Sequence, residues 1–573
     1  MENFSFCNRI TRINKFSNLV FLIFLLFFVY IPNILFCKQI YVPDDYQSIQ
    51  SAIDNSNHGD TVIIRNGTYS GEGNFNINFN SKRITVQSES NYQNCIVDCQ
   101  NSGRGFIFNS GEDNSSVLKG LTILDGRSND AGGGIYCESS SPIINNCKIH
   151  SCSIGDDSVT SNNFGGAGIS CINSSPQILN CVISDNVLYA YKDGGGGIYC
   201  YGSSSPLIYK CLIENNFASA SFYDEGGGIF CDDNSSPQIS SCTFINNKAR
   251  TGGAISIYSS SPIIQNCIIN NNQSVNSAAA ILIRLSSPKI FNCTIVNNRS
   301  EDRSGGIQTL SNYSNVKPII VNTILWGNFP DQLFITASVA YNLKVNPDIK
   351  NSLIQGGFSG VNNYKGTDII TSNPSFVDSA NNDFSLDSNS PCIDAGTYEN
   401  APNVDIEGTY RPQGPSMDIG AYEYYKGDTN NGSNFNATGT WYYTTSNVQN
   451  NCPGETAQPE TGELIITQNS NNTVVLTNNN RDFSGTVNAT VYNVSDSDMF
   501  NDGSRIDNIN FQLISETILS GTYSGSWTDG SLSCQWSGSI SANKTSEGGS
   551  NNNNNDGDGS SSGGCFISTI TKQ

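Results

Sequence analysis

The stretch Ser260-Ser-Pro-Ile-Ile-Gln-Asn-Cys-Ile-Ile-Asn-Asn-Asn272 is one copy of a unit that recurs along the middle of the chain. Its general form is Ser-Ser-Pro-x-Ile-x-Asn-Cys-x-Ile-x-x-Asn, and its prolines align at Pro142, Pro176, Pro206, Pro237, Pro262, Pro288 and Pro318, at intervals of 34, 30, 31, 25, 26 and 30 residues. A period of this size, built from short β-like segments without helical periodicity, marks a solenoid in which each repeat is one coil. Two residues after each proline stands an isoleucine: Ile144, Ile178, Ile208, Ile239, Ile264, Ile290 and Ile320. Five residues after it come Cys147, Cys181, Cys211, Cys242, Cys267, Cys293 and then Thr323, and seven after it Ile149, Ile183, Ile213, Phe244, Ile269, Ile295 and Leu325. A third set precedes the proline: Cys137, Cys171, Cys200, Cys231, Ile257 and Ile283. Side chains alternate along a strand and like stacks on like between coils about 4.8 Å apart. Three short strands per coil, three parallel sheets and one continuous apolar core follow.

Ten residues after their prolines stand Asn186, Asn216, Asn247, Asn272, Asn298 and Asn328, with Cys152 at that place in the first unit. An asparagine stacked at a tight turn can satisfy the amides of the adjoining coil, so a ladder is expected there. The cysteines of the repeat follow the same period as the isoleucines, and are expected to be packed, reduced thiols rather than a disulfide framework.

The whole chain has 573 residues and a formal net charge of −21, with 14% charged residues. That balance argues against partners such as nucleic acid or anionic lipid bound through charge, and leaves room for Ca²⁺ or cationic partners. At the start, Arg9, Arg12 and Lys15 precede an apolar run from Leu19 to Phe36, so residues 1–37 read as an export signal or N-terminal membrane anchor. Expected divisions are a cap with first coils over 38–104, coils over 105–345, terminal coils over 346–423 and a polar linker over 424–435. A small antiparallel β-sandwich or barrel follows over 436–545, then a low-complexity spacer over 546–564 and a tail over 565–573. Trp441, Trp527 and Trp536 fall in the small domain, where they serve either its core or stacking on sugar rings. Cys452 and Cys534 are candidates for a disulfide in an oxidising compartment.

With these residues in view, the chain resembles the right-handed parallel β-helix superfamily that includes pectate lyases, over about residues 40–423. Tyr41-Val-Pro-Asp-Asp-Tyr-Gln-Ser-Ile-Gln-Ser-Ala-Ile53 and Gly59-Asp-Thr-Val-Ile-Ile-Arg-Asn-Gly-Thr-Tyr69 look like its N-terminal cap and first coil. Ser390-Pro-Cys-Ile-Asp-Ala-Gly396, Asp405, Arg411-Pro412 and Asp418-Ile-Gly-Ala-Tyr-Glu423 resemble a choice-of-anchor Q segment, which closes bacterial surface β-helices; capping turns and an Asp–Arg pair account for its charges better than Ca²⁺ does. Gly563-Gly-Cys-Phe-Ile-Ser-Thr-Ile570 is similar to the start of a CFI-box sorting motif, which makes Cys565 a candidate anchoring residue. The resemblance implies the fold strongly and the activity weakly, because one scaffold hosts lyases, hydrolases, epimerases and adhesins.

Neither an Asp-Pro-His motif of the alginate epimerases nor the clustered Asp and Arg-Ile-Lys of the polygalacturonases is present. Of the two histidines, His58 falls in the cap and His150 on an outward strand position with no fixed partner expected, which disfavours a His-centred triad. One charged edge stands out. Asp130, Asp193, Asp224 and Glu225 precede the Gly-rich starts of successive coils, and Arg250 and Arg303 occupy that place in later coils. Stacking would set acids below bases, the arrangement of a Ca²⁺-dependent site for acidic polysaccharide, with Asp193, Asp224 and Glu225 as metal ligands; solvated turn charges are the plainer expectation. The leading expectation is therefore an exported, noncatalytic cell-surface or secreted protein that engages glycans. The alternative is a secreted polysaccharide lyase or glycoside hydrolase.

Overall fold

The computed structural model describes residues 37–155, 165–190, 194–220, 225–311, 316–337, 345–357 and 366–425, together with 438–450 and seven further strands between 461 and 544. The chain forms two compact units, residues 1–426 and 427–573. The apolar run of the N-terminus and Cys452 and Cys565 lie outside the described residues. Among the described residues no helix is long and apolar enough to cross a membrane.

The first unit is a parallel β-solenoid. In a representative coil, Ile135–Glu138 is followed by Ile143–Asn145, Lys148–His150 and Ser153–Ile154. Each strand pairs in parallel with its counterpart in the next coil, giving a ten-stranded, a seven-stranded and a 23-stranded sheet, the last holding both middle strands of every coil. The register matches the sequence columns: Ile144 pairs with Ile178 and Ile178 with Ile208. Likewise Ile149 pairs with Ile183, and Cys137 with Cys171. These columns and the Cys147 to Cys293 column are buried in one continuous core. The short helix Ile49–Asp54 adds Ile49, Ala52 and Ile53 to it at the N-terminal end. Every cysteine whose side chain is described is a free thiol.

The bends before and after the second middle strand fall on residues four and nine after the proline. Asn146, Asn180, Asn266, Asn292 and Asn322 occupy the first, and Asp185, Asn215, Asn246, Asn271 and Asn297 the second, all with φ between about 48° and 56°. Asn and Asp are the non-glycine residues that tolerate this left-handed conformation best, which explains the remaining Asn positions of the motif.

The expected asparagine ladder is present. Asn247 shows its pattern: the side-chain nitrogen donates to Ile213 O at 2.8 Å and to Asn272 Oδ1 at 3.0 Å. Its Oδ1 accepts from the Asn216 amide at 3.1 Å and from Asn216 Nδ2 at 3.0 Å. The chain of bonds runs from Asn186 to Asn328, and the Cys152 amide closes its lower end on Asn186 Oδ1 at 2.9 Å. The Ser-Ser pair adds two hydroxyl ladders of opposite sense. The first serine accepts from the preceding coil, as when the Ser174 amide donates to Ser204 Oγ. The second accepts from the following coil, as when the Ser205 amide donates to Ser175 Oγ. Glu112 ends the first ladder, its buried carboxylate accepting from Ser140 Oγ and the amides of Ser81 and Ser110.

The Gly-rich coil starts have a steric cause. A Cβ on Gly166, Gly195 or Gly226 would lie 2.0 Å from the carbonyl oxygen of Ile169, Ile198 or Ile229. These glycines form a small three-stranded sheet, Gly165–Gly166, Gly194–Gly195 and Glu225–Gly226.

The segment expected to close the solenoid lies along its flank instead. Phe384, Leu386, Cys392, Ile419 and Ala421 pack on Ile268, Val296, Ile324 and Leu353, outer-face residues of four consecutive coils. The same corner asparagines anchor it: Asn266 donates to Val404 O, Asn292 to Asp418 O and Asn322 to Thr397 O.

The second unit is a closed barrel of eight antiparallel strands, from Gly439–Asn450 to Ser533–Lys544, each paired with its neighbour in sequence and the last with the first. Of the two expected architectures the barrel is the one formed. Trp441, Tyr443, Leu464, Ile466, Leu476, Ile509, Tyr523 and Ile540 are buried, whereas Tyr442 and Ile465 are exposed. Trp441 is thus a core residue.

Replacing Asn247 with Ala strips partners from the Asn216 amide and Ile213 carbonyl inside the core. We expect Asn247→Ala to lower stability by about 3 kcal/mol, while Asn246→Gly at the exposed bend changes it by less than about 1 kcal/mol. Urea denaturation of both variants, followed by far-UV circular dichroism, measures the difference.

Candidate functional site

The charged edge is built where each coil leaves the seven-stranded sheet and re-enters at its glycines. Backbone pairing sets Glu225 beside Gly194, and a bridge between Gly226 and Gly252 places Arg250 two residues upstream of the next rung. Asp193 and Asp224 lie outside the described residues, as does the side chain of Glu225. The remaining members are each engaged locally. Asp130 accepts from Ser128 Oγ at 2.5 Å and from the Ala131 amide at 2.8 Å, and pairs with Arg104. Burial raises its pKa, but the Ser128 and Ala131 hydrogen bonds and the Arg104 charge outweigh it and hold the carboxyl below the usual range. Arg104 in turn lies over the Tyr136 ring. Arg250 reaches Asn276 of the following coil, whose amide oxygen, in the orientation that satisfies both groups, accepts from Nε at 2.7 Å. Arg303 pairs with its exposed neighbour Asp302 at 3.2 Å.

His150 does have partners, contrary to expectation. Its Nδ1 lies 3.0 Å from Ser184 Oγ and 3.3 Å from Asp185 Oδ2, both contributed by the next coil. Serine, histidine and aspartate meet here, but a triad places the nucleophile on one ring nitrogen and the carboxylate on the other. Here both address the same nitrogen, and Ser184 is buried. The cluster ties two coils together and cannot relay a proton from serine to aspartate. His58 Nδ1 accepts from the Arg83 amide at 3.1 Å, a turn contact in the cap.

The acidic residues of the flank segment are also consumed by structure. Arg411 is fully buried and pairs with Glu423 at 2.8 Å, not with an aspartate as expected. Its two Nη groups also donate to the carbonyls of Asp418 and Gly420. Glu423 further accepts from the amides of Gln413 and Asp418. Asp405 Oδ1 accepts from three successive amides, Glu407 to Thr409, and Asp418 accepts from the amides of Asp394 and Tyr424. Among the described residues no group of three His, Cys, Asp or Glu side chains is arranged to hold a metal ion.

The ladder thiols are poor nucleophiles. Burial drives the Cys147, Cys181, Cys211, Cys242 and Cys267 thiols well above their ordinary range, and each sulfur hydrogen-bonds backbone carbonyls, as Cys181 does with Leu179 O at 3.2 Å. Cys534 lies on the last barrel strand, opposite Trp527 in register.

A surface that sequence reasoning missed lies beside the flank segment. The sheet face it covers continues over earlier coils, where Leu179, Val182, Leu207, Tyr209 and Leu212 are half-buried and Lys210 Nζ lies 5.5 Å from the Tyr209 ring. The signal was present as apolar residues at the x positions of the motif, but outward and inward apolar residues look alike without the fold.

A family model described as the right handed beta helix region matches residues 152–298. The chain is a β-helix protein. The match spans the asparagine ladder from Asn186 to Asn298 and the cysteine column from Cys181 to Cys293. No curated protein matches the chain.

The thiols give the β-helix a distinctive pH dependence. An acid whose folded pKa lies above its unfolded value keeps its proton better when folded, so its contribution is full below about pH 9 and is lost as pH rises beyond it. Each such thiol costs about 1.4 kcal/mol per pH unit in that window. Thermal unfolding monitored from pH 8 to 11 is expected to show a steep fall in Tm above pH 9, flattened by replacing Cys181 and Cys211 with Val.

Proposed function

We propose that this β-helix protein is an exported, noncatalytic surface scaffold whose solenoid flank binds glycan chains. The observation that carries the reading is the strip formed by Leu179, Leu207, Tyr209 and Leu212, which continues the face already used to bind residues 371–425. A strip running along the solenoid axis suits an extended polymer, and an aromatic ring beside a lysine offers a sugar both a stacking surface and a donor. The local engagement of Asp130, Arg250, Arg303 and His150 supports binding over bond cleavage, because a lyase needs carboxylates and a base converging on one substrate. Export is supported by the basic and then apolar order of the first residues.

The test is a panel of acidic and neutral polysaccharides offered to the mature chain with and without Ca²⁺, scored for both binding and cleavage. Binding without cleavage, weakened about tenfold by Tyr209→Ala, is the expected result. Ca²⁺-dependent cleavage lost in Arg250→Ala would overturn it in favour of a polysaccharide lyase.

A further inference from the structure

The strip along the solenoid flank repeats, coil for coil, a surface on which the chain already binds a polypeptide. One outward column of the 23-stranded sheet runs through Lys148, Val182, Leu212, Thr243, Ile268, Thr294, Ile324 and Leu353, each paired in register with the next. From Ile268 onward the flank segment covers it. Phe384 packs with Ile268, Ile419 packs with Ile324 and Leu353, and the Ala421 amide donates to Thr294 Oγ1 at 3.0 Å. Lys148, Val182, Leu212 and Thr243, in the four preceding coils, are half-buried. The corner four residues after the proline continues in the same way. In covered coils Asn266, Asn292 and Asn322 donate from it to main-chain carbonyls of the flank segment. In the four preceding coils it holds Asn146, Asn180, Lys210 and Ser241, each again a side-chain donor. A column of packing positions beside a line of donors suits a docked polypeptide, whose side chains pack while its carbonyls accept.

Charge narrows the choice of polypeptide. Lys119, Lys148 and Lys210 lie on the uncovered half, and no ion pair neutralises any of them. The acids of the same coils, Asp185 and Glu214, stand at its far edge, and Asp185 is held by His150. Over residues 366–425 the flank segment has ten acidic residues and one basic residue, Arg411, which is buried against Glu423. Asp378, Glu399 and Glu407 are exposed there, and so are the apolar side chains of Val377 and Tyr398. One half of the sheet face is therefore apolar and basic, and the segment covering the other half presents an apolar and acidic outer surface. The two halves span four coils each.

From this juxtaposition we infer that the uncovered half docks the flank segment of a second copy of the chain. With the two solenoids antiparallel, one two-fold axis satisfies both strips at once, each meeting the acidic flank of its partner. The inference rests on the reading of the strip as a binding surface and adds its regulation: a docked second copy closes the strip to glycan, so self-association and glycan binding exclude each other.

Sedimentation velocity of the full-length chain tests this. A concentration-dependent dimer is expected, its dissociation constant at least about tenfold larger in about 0.5 M than in about 0.05 M NaCl. Lys119→Glu/Lys210→Glu and Glu399→Lys/Glu407→Lys should each be monomeric alone and form a heterodimer when mixed, because like charges meet in either homodimer and opposite charges in the mixture. All four positions are exposed, and recovery of the heterodimer shows that both variants fold. A chain monomeric at every concentration, a dimer indifferent to salt and to the substitutions, or a mixture that stays monomeric overturns the inference. The polysaccharide panel, repeated on Glu399→Lys/Glu407→Lys with its strip intact, separates the two readings. Glycan that binds this variant and dissociates the parent dimer supports both. Glycan binding beside a monomeric parent overturns self-association alone, and a charge-rescued heterodimer whose monomers bind no glycan overturns the glycan reading alone.

Discussion

Six consecutive coils of this β-helix share a buried asparagine, from Asn186 to Asn328, that passes its side chain from one coil to the next. The turn it occupies leaves main-chain amides and carbonyls inside an apolar wall, where an unpaired polar group costs more than most core contacts return. Asn247 satisfies two neighbours at once, the Ile213 carbonyl on one side and the Asn216 amide beside it. Because the amide has a donor end and an acceptor end, each residue fixes the orientation of the next. Register is thereby set once for the coils from Cys152 to Asn328. The isoleucine columns then follow, since a slip of one residue would turn each of them outward.

That constraint explains why so much of the solenoid was legible in the sequence. Positions from the Ser-Ser pair to the ladder asparagine keep a fixed spacing, while the intervals between prolines vary from 25 to 34 residues and the variation falls beyond that asparagine. The columns of Ile144 and Ile149 could be read as core because alternation and stacking leave no other place for them. The bends were less visible. Asn at four and nine residues after the proline carries no apolar alternation to mark its place, yet it supplies left-handed corners and, at Asn266, Asn292 and Asn322, anchors for the flank segment.

The candidate site was legible only in part. Charges near glycine turns were visible, but not their partners: Asp130 is claimed by Arg104 and Ser128, and Arg411 by Glu423, through contacts that sequence spacing does not encode. The flank segment was recognisable as a unit, whereas its docking on Ile268, Val296 and Ile324 depends on outward side chains that share their chemistry with the core. The barrel was readable as β structure. Its closure depends on the last strand pairing with the first, and no local residue announces that.

The central claim is that the asparagine ladder holds the coils in register. Native-state amide hydrogen exchange tests it most directly, read at the amides of Asn186, Asn216, Asn247, Asn272 and Asn298. If the claim is right, these turn amides exchange as slowly as the strand amides of Ile183 and Ile213, through unfolding of the solenoid alone. Exchange at these asparagines on the timescale of exposed turns, with the strands still protected, would contradict it.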